Sequence, residues 1–368
     1  MAPVYMELRK SDKLQPILLS TGQHREMLDQ ALAAFDLKAD HDLQLMQPGQ
    51  TLPELTGRVI NAVTAIIQEF EPDAFLVQGD TTTVMAGAIA ASYAKVPVGH
   101  VEAGLRTYNM QHPFPEEMNR RLVSPLARWS FVPTELSKNN LLSERIAPET
   151  IHVTGNSVID ALLWMRSKVS GREEESLATA KRLAIPDDFA QTYLSEGSRN
   201  WILVTGHRRE SFGGGFEMIC ESLLELTRQH PELGILYPVH LNPNVREPVN
   251  RLLANNPRIA LIEPAGYEDF IWLMNRCTFM LSDSGGVQEE APSLGKPVLV
   301  MRTTTERPEG IEAGTCRLVG TDQEAILREA NILLADQHEL ARRSALKNPY
   351  GDGKTSQRIR EILESDLA

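Results

Sequence analysis

The chain has 368 residues, 42% of them hydrophobic and 23% charged, which is typical of a globular protein long enough for two domains. Its formal net charge of −12 argues against general binding to nucleic acid or to anionic membranes. No apolar run is long enough for a membrane span, and we expect no signal peptide. Three cysteines without CxxC spacing argue against a disulfide framework or a zinc site and favour a reducing cytoplasm.

The first half of the chain alternates short apolar runs with segments of helical spacing. Strands are predicted at 16–20, 73–78, 97–101, 129–132 and 151–153. Helices are predicted at 23–37, 52–70, 84–95, 115–127 and 134–144. This alternation predicts a parallel sheet with helices on both faces, in which active-site loops lie at the carboxyl ends of the strands.

The chain changes character in the middle, and then a second alternating set begins. Residues 166–200 include a charge run and polar stretches, and we interpret them as an inter-domain region. Further strands are predicted at 201–205, 234–239, 259–262, 278–282, 297–301 and 317–319. The sequence therefore predicts an α/β fold of two doubly wound, Rossmann-like domains, 1–165 and 201–354, facing a cleft. A last helix within 355–368 is expected to cross back to the first domain.

Three carboxylates lie at predicted element ends along one edge of the first sheet. Asp80 and Glu102 come soon after predicted strands, and Glu116 opens a predicted helix. Structural explanations exist, because Asp80 suits a helix N-cap and Glu116 complements a helix dipole. Acid–base chemistry at a C–H bond needs groups on both of its sides, so three such loops in succession favour a site.

A basic, glycine-rich loop follows the first strand of the second domain. Residues 205–215 contain His207, Arg208 and Arg209 before three consecutive glycines at a predicted helix start. Guanidinium groups, an imidazole and free backbone N–H groups suit a diphosphate, although a solvated basic loop is the alternative. The glycines match neither the Walker pattern nor GxGxxG, so we predict no nicotinamide, flavin or other cofactor. The histidines show no metal-binding pattern, and we predict no metal.

Residues 283–291 follow the pattern of a strand, a tight turn and a helix. Gly285 and Gly286 let a ligand approach the backbone, and the N–H groups beside Ser284 form an anion site at the helix start. Glu290, on the next turn, is placed to hold sugar hydroxyls, so the segment suits a nucleoside diphosphate-sugar. An ordinary strand–turn–helix is the alternative. A serine-protease loop also has the Ser-Asp-Ser-Gly-Gly pattern, but the alternation of strands and helices argues against that fold.

Arg307 is a second basic candidate, beyond the strand predicted at 297–301. The alternative is a structural ion pair with Glu306 or Glu309. Because the chain as a whole is acidic, a phosphate-bearing ligand needs local positive charge of this kind.

Seven segments together resemble the non-hydrolysing UDP-N-acetylglucosamine 2-epimerases. They are VQGDTTT, GHVEAGLRT, PEEMNRR, VTGNSVIDAL, TGHRRE, SDSGGVQEEAPSLGKPVLV and TTERPEG, and the similarity runs from Met1 almost to the C-terminus. The resemblance implies a GT-B-like pair of domains, a homodimer, and interconversion of UDP-GlcNAc and UDP-ManNAc for cell-surface polysaccharide precursors. It further implies anti elimination of UDP to 2-acetamidoglucal, followed by re-addition with inverted C2.

The resemblance also implies catalytic roles for Asp80, Glu102, Glu116 and His207. Asp80 and Glu116 are the candidates for proton transfer at C2. Glu102 would hold or polarise the intermediate, and His207 would steady the departing diphosphate.

Substrate-binding positions of the family are matched by Arg120, Arg208, Phe270, Ser284, Gly285, Gly286, Glu290 and Arg307. The phosphate grip would involve Ser284 and the two glycines, Phe270 would line the uracil pocket, and Glu290 would hold the ribose hydroxyls. Gln23, Arg209 and His240 lie in loops where some bacterial relatives bind a second, activating UDP-GlcNAc.

The front of the chain departs from the family pattern. The family opens with a strand and a Gly-Thr-Arg-Pro-Glu turn that contacts the nucleotide, whereas residues 1–8 here read as a helix already under way. We therefore expect a start chosen too far downstream or a shortened chain. Loss of a central strand would remove apolar core area whose burial contributes more free energy than the whole net stability of a domain.

Three alternative functions stay open: a GT-B glycosyltransferase, a hydrolysing epimerase and an inactive nucleotide-sugar binding protein. An acceptor groove would mark the first, and release of free ManNAc and UDP would mark the second. Binding without proton exchange at C2 would mark the third.

Overall fold

The computed structural model describes residues 1–22, 31–47, 49–170, 176–195 and 199–367. The chain forms two compact units: unit 1 is Met1–Ala161 with Tyr350–Ala368, and unit 2 is Leu162–Pro349. Both are built on parallel sheets with helices between the strands, so the predicted α/β class is confirmed.

The strands of unit 1 are β1 (Leu19–Ser20), β2 (His41–Asp42), β3 (Phe75–Gln78), β4 (Val98–Val101), β5 (Ala127–Val132) and β6 (Ile151–Val153). Strands β3 to β6 form one parallel sheet in chain order, and β1 pairs with β2 in a separate parallel sheet. Of the strand predicted at 16–20, only the two residues of β1 are in a strand, and β2 is not predicted from the sequence.

The helices from the start of the chain to the unit boundary are α1 (Ala2–Leu8), α2 (Leu52–Phe70), α3 (Thr82–Tyr93), α4 (Glu116–Val123), α5 (Glu135–Ser143) and α6 (Ser157–Val169). The boundary between the units falls within α6. Of the helix predicted at 23–37, residues 23–30 lie outside the described residues and residues 31–34 are helical.

Helix α2 shows how local sequence defines an element. Thr51 Oγ1 accepts the backbone N–H of Glu54, whose carboxylate accepts the N–H of Thr51 at 2.8 Å, so the helix begins with a capping box. Leu55, Val59, Val63 and Ile67 recur every four residues and are buried in one apolar cluster with α3 and β3. The bounds predicted for this helix are confirmed.

The strands of unit 2 are β7 (Trp201–Thr205), β8 (Gly234–Pro238), β9 (Ile259–Ile262), β10 (Met280–Ser282), β11 (Val298–Val300) and β12 (Cys316–Leu318). The order across the parallel sheet is β12-β11-β10-β7-β8-β9. Chain order therefore runs outward from β7 on one side and from β10 on the other. The carboxyl ends of β7 and β10 form a topological switch point, where doubly wound sheets bind ligands.

The remaining helices are α7 (Ser176–Arg182), α8 (Asp187–Tyr193), α9 (Gly214–Gln229), α10 (Pro243–Leu253), α11 (Tyr267–Arg276), α12 (Gly285–Glu290), α13 (Pro308–Glu312), α14 (Gln323–Ala335), α15 (Gln337–Ser344) and α16 (Thr355–Asp366). The core of unit 2 packs the apolar strands β7, β8 and β10 against α9, α10 and α14. Among the described helices, none combines the length and apolar content that crossing a bilayer requires.

Helix α16 belongs to unit 1. Its Ile359 and Leu363 are buried with Val4 of α1 and Trp129 of β5. The buried carboxylate of Asp160 accepts the N–H groups at the start of α16, from Thr355 at 3.3 Å and from Ser356 at 2.7 Å, and so holds the helix in place.

Candidate active site

Asp80 lies in the loop between β3 and α3 and is held by α4. Its Oδ2 accepts a hydrogen bond from Arg120 Nε at 2.9 Å, and Arg120 Nη2 lies 2.7 Å away. The backbone carbonyl of Asp80 accepts a hydrogen bond from the Asn119 amide at 2.8 Å. Thr81, not Asp80, caps helix α3, so the N-cap explanation for Asp80 is wrong. The carboxylate is therefore fixed by tertiary contacts and stays 26% exposed.

Glu102 directly follows β4 and approaches the Asp80 loop. It has φ of 63°, a left-handed conformation that is uncommon for a residue other than glycine and is often found at functional sites. A Cβ on Gly79 would lie 3.8 Å from Oε2 of Glu102, so the loops after β3 and β4 meet here. The structure thus brings the loops that carry Asp80 and Glu102 together at one edge of the sheet, as predicted from the strand ends, and Arg120 of α4 contacts Asp80 there.

His100 lies beneath these loops on β4. Its side chain is buried, and Nε2 lies 2.8 Å from the carbonyl oxygen of Gly79. Because a carbonyl only accepts, Nε2 carries the proton and Nδ1 is bare. Burial lowers the pKa of His100 to about 4, so the ring is a neutral structural support.

Helix α4 presents two adjacent carboxylates with different surroundings. Glu116, the predicted residue, is half-buried in the first turn, four residues before Arg120. Glu117 is fully buried; its oxygens accept the N–H groups of Thr107 and Tyr108 at 3.0 Å, and Arg120 Nη1 at 3.1 Å. Glu117 is not among the site residues predicted from the sequence, although its position on the helix, about 100° around the axis from Glu116, could have distinguished the two.

In unit 2, Asp283 joins the two loops of the switch point. Its Oδ2 accepts the backbone N–H groups of His207 at 2.7 Å and Arg208 at 2.8 Å. Its Oδ1 lies 3.0 Å from His207 Nδ1. Burial acts to raise the pKa of Asp283, but the hydrogen bonds from His207 and Arg208 outweigh it and hold the pKa below its usual range. A buried anion therefore holds the predicted basic loop.

The side chains of the basic loop differ in their surroundings. The His207 ring stacks on His240, with centroids 5.7 Å apart. Arg208 Nε is buried and has no hydrogen-bond partner among the described residues. Arg209 is exposed. Gln23, predicted with Arg209 and His240, lies outside the described residues.

The turn after β10 is closely packed against Arg307. Ser284 is the N-cap of α12 and makes no side-chain cap bond, and a Cβ on Gly285 would lie 2.9 Å from Cζ of Arg307. Arg307 pairs with Glu289 (Nε to Oε1, 2.8 Å) and with Glu306 (Nη1 to Oε2, 3.0 Å). Arg307 therefore forms the ion pair with Glu306 that was the alternative to a ligand-binding role. It also pairs with Glu289, which is not predicted from the sequence.

Glu290 is buried at the end of α12 and accepts a hydrogen bond from the Tyr267 hydroxyl at 3.1 Å. Burial raises its pKa to about 7, with a further contribution from Glu289, against the lowering effect of the Tyr267 bond. Phe270 lies half-buried on helix α11, which Tyr267 begins. The structure thus brings Glu290 into contact with the helix that carries Phe270.

The predicted site residues of the two units differ in charge, although in each unit they contact residues of the opposite charge. Carboxylates that can take part in proton transfer lie in unit 1, and an imidazole and two arginines lie in unit 2. In the part of the chain that the structure describes, no three His, Cys, Asp or Glu side chains cluster as metal ligands would. Two parallel-sheet units with polar loops at the strand ends define an α/β protein of the Rossmann-like, GT-B-like class.

Comparison with known proteins gives the family. The family model for UDP-N-acetylglucosamine 2-epimerase matches residues 6–364. The chain is 51% identical to the UDP-N-acetylglucosamine 2-epimerase of Escherichia coli K12 over 367 residues, covering 100% of this chain and 95% of that protein. The chain belongs to the UDP-N-acetylglucosamine 2-epimerase family, whose members are isomerases.

Solved structures agree with this membership. The Neisseria meningitidis UDP-GlcNAc 2-epimerase bound to UDP-GlcNAc matches with 46% identity and a TM-score of 0.86, covering 100% of this chain and 96% of that one. The Methanocaldococcus jannaschii enzyme in complex with UDP-GlcNAc and UDP matches with 31% identity and a TM-score of 0.75, covering 99% and 95%. The family resemblance stated from the sequence is confirmed.

Proposed function

We propose that this chain reversibly converts UDP-GlcNAc to UDP-ManNAc. The observation that carries the proposal is the family match over residues 6–364, a span that includes every predicted catalytic residue. The contacts support it, since the loops that carry Asp80 and Glu102 approach each other at one sheet edge and His207 lies at a switch point.

The proposed chemistry starts at C2 of the sugar. One carboxylate, Asp80 or Glu116, takes the C2 proton while the C1–O bond to UDP breaks. The electron pair of the C2–H bond forms the C1–C2 double bond of 2-acetamidoglucal. The electron pair of the C1–O bond leaves with UDP. Return of a proton to the opposite face of C2 and re-addition of UDP at C1 give the epimer. Glu102 holds the intermediate, and Arg120 orients Asp80 through the contacts described above.

The residues of unit 2 are assigned to the nucleotide. His207, Arg208 and Arg307 stabilise the negative charge that develops on the leaving diphosphate, and the turn of Ser284 offers backbone N–H groups. Glu290 accepts from the ribose hydroxyls, and Phe270 packs on uracil. The solved structure of the Neisseria meningitidis relative is bound to UDP-GlcNAc, and that of the Methanocaldococcus jannaschii relative is in complex with UDP-GlcNAc and UDP, which supports a ligand of this class. A homodimer and a role in polysaccharide precursor supply are part of the proposal.

Incubation of the chain with UDP-GlcNAc alone, followed by separation of products, tests the proposal. We expect an equilibrium mixture of UDP-GlcNAc and UDP-ManNAc, with no sugar acceptor required. Accumulation of free ManNAc and UDP would instead mean a hydrolysing enzyme. An unchanged substrate that still binds would mean a nucleotide-sugar binding protein.

A further inference from the structure

A buried carboxylate lies at the switch point of unit 2. Asp283 is 1% exposed, and its Oδ2 holds the backbone N–H groups of His207 and Arg208. Its Oδ1 finds no well-aligned hydrogen-bond donor among the described residues, and His207 Nδ1, 3.0 Å away, is the polar atom that faces it. One side chain therefore holds the backbone of His207 and also lies against the edge of its ring.

A second contact restrains the face of the same imidazole. The rings of His207 and His240 are stacked, with an interplanar angle of 28°. Nδ1 of His240 accepts the N–H of Asn242 at 3.1 Å, so His240 in its neutral form carries its proton on Nε2. His207 nevertheless stays 41% exposed, although Asp283 lies against one edge of the ring and His240 covers one face.

We propose that Asp283 is a positioning residue for His207, and the inference rests on the proposed function. An ionised carboxylate can only accept, so an Nδ1 atom 3.0 Å away carries a proton. Nε2 is then the ring atom available to the departing diphosphate. A doubly protonated ring in this orientation can donate from Nε2 to a phosphate oxygen while Nδ1–H faces Asp283.

The variant Asp283→Asn separates this role from simple packing. The backbone N–H groups of His207 and Arg208 need an acceptor, so the amide oxygen takes the place of Oδ2. The amide NH2 group then faces Nδ1 of His207. A donor at that position requires a bare Nδ1, so the neutral ring moves its proton to Nε2 and the charged form loses its counter-ion.

Nitrogen-15 NMR of histidine-labelled protein, together with steady-state kinetics, tests the proposal. In the wild-type chain we expect His207 with a protonated Nδ1, and in Asp283→Asn a neutral ring protonated on Nε2. We expect kcat for epimerisation to fall by roughly 10²-fold in the variant, with a much smaller change in KM, because the lost charge acts mainly on the leaving group.

Asp160→Asn is the matched control. Asp160 is also a buried aspartate that accepts two backbone N–H groups, but it holds the start of helix α16 in unit 1. The control is expected to lose stability while keeping the His207 spectrum and kcat of the wild type.

Three results would overturn the proposal: a wild-type His207 with bare Nδ1, an Asp283→Asn variant with the wild-type spectrum, or a variant with the switched proton and unchanged kcat. The first needs no variant, so a folding failure of Asp283→Asn leaves the test intact. A wild-type chain without epimerase activity would overturn the proposed function separately, and the spectra would still decide whether Asp283 positions the ring.

Discussion

The loops at the sheet edge of unit 1 and those of unit 2 are opposite in charge but alike in construction. In unit 1 the exposed group is a carboxylate, Asp80, which is held by Arg120 and, behind it, by the fully buried Glu117. In unit 2 the exposed groups are basic: His207 is backed by buried Asp283 and Arg307 by buried Glu289. Asp80, Arg307 and, when it is protonated, His207 thus each lie against a more deeply buried charge of opposite sign: Arg120, Glu289 and Asp283.

In both units, the buried partner determines where the more exposed charged group is held. Breaking a buried pair costs several kcal/mol, because the remaining charge is left without compensation. The hidden partners therefore fix geometry more strongly than surface ion pairs do, since those are screened by solvent. We expect substitutions at Asp80 to affect chemistry and those at the turn of Ser284 to affect binding, with the hidden partners affecting stability as well.

The largest effect is expected for Asp80→Asn. If Asp80 transfers the proton at C2, the variant loses about 10³-fold in turnover but keeps the affinity for UDP, whose binding we propose for unit 2. The rate of UDP-ManNAc formation and calorimetric UDP binding measure the two properties. Asp73→Asn, at an exposed position before β3, is the control and should match the wild type. Normal turnover by Asp80→Asn would refute its assigned role.

Glu117→Gln comes next. The change removes the buried negative charge that pairs with Arg120 and weakens the acceptor for the N–H groups of Thr107 and Tyr108. We expect roughly 3 kcal/mol less stability, measured by urea unfolding, and slower turnover because Arg120 no longer holds Asp80 firmly. The exposed Glu69→Gln on α2 should change neither property. A Glu117→Gln variant as stable as the wild type would contradict the importance of the hidden carboxylate.

Two glycine substitutions probe the grip of unit 2. In Gly285→Ala the new Cβ would lie 2.9 Å from Arg307, whereas in Gly286→Ala the nearest protein atom is Ser284 Oγ at 3.9 Å. We expect both variants to bind UDP about tenfold more weakly, a loss of about 1.4 kcal/mol, but only Gly285→Ala to be destabilised. Gly57→Ala, where a Cβ meets nothing within 4 Å, is the control. Wild-type UDP affinity in Gly286→Ala would argue against ligand approach at this turn.

The smallest effect concerns the pH dependence of stability. Burial raises the pKa of Glu290 to about 7 from an unfolded value of 4.5, so the folded chain retains the proton that the unfolded chain releases. The free energy of unfolding should then fall as pH rises from 4.5 to about 7 and level off above it. Glu290→Gln should flatten this slope in urea titrations, and the exposed Glu312→Gln should not. An identical slope in Glu290→Gln would contradict the assignment.

Local signals in the sequence account for much of the fold. The capping box at Thr51 and the four-residue apolar spacing define α2, and the apolar run at Trp201–Thr205 defines β7 with its predicted bounds. Strand β2 has only the residues His41 and Asp42, which show no apolar pattern, so its pairing with β1 depends on tertiary structure.

In the candidate site, too, some features can be predicted from local sequence and others depend on tertiary structure. The strand-end positions of Asp80, Glu102 and His207 follow from the alternation of elements, but their hidden partners do not. Asp283 meets His207 across 76 residues of sequence, and the meeting depends on the order of strands in the sheet. Glu117 looks like a second helix-dipole carboxylate until the packing of α4 buries it. Helical phase is the signal that could have distinguished it from Glu116.

Proton exchange at C2 tests the central claim most directly. The wild-type chain is incubated with UDP-GlcNAc in D2O, and the C2 proton is followed by NMR while UDP release is measured in parallel. If a carboxylate of the chain removes that proton as proposed, deuterium enters C2 of both UDP-GlcNAc and UDP-ManNAc without net loss of UDP. A C2 proton that persists while the substrate is bound would contradict the account.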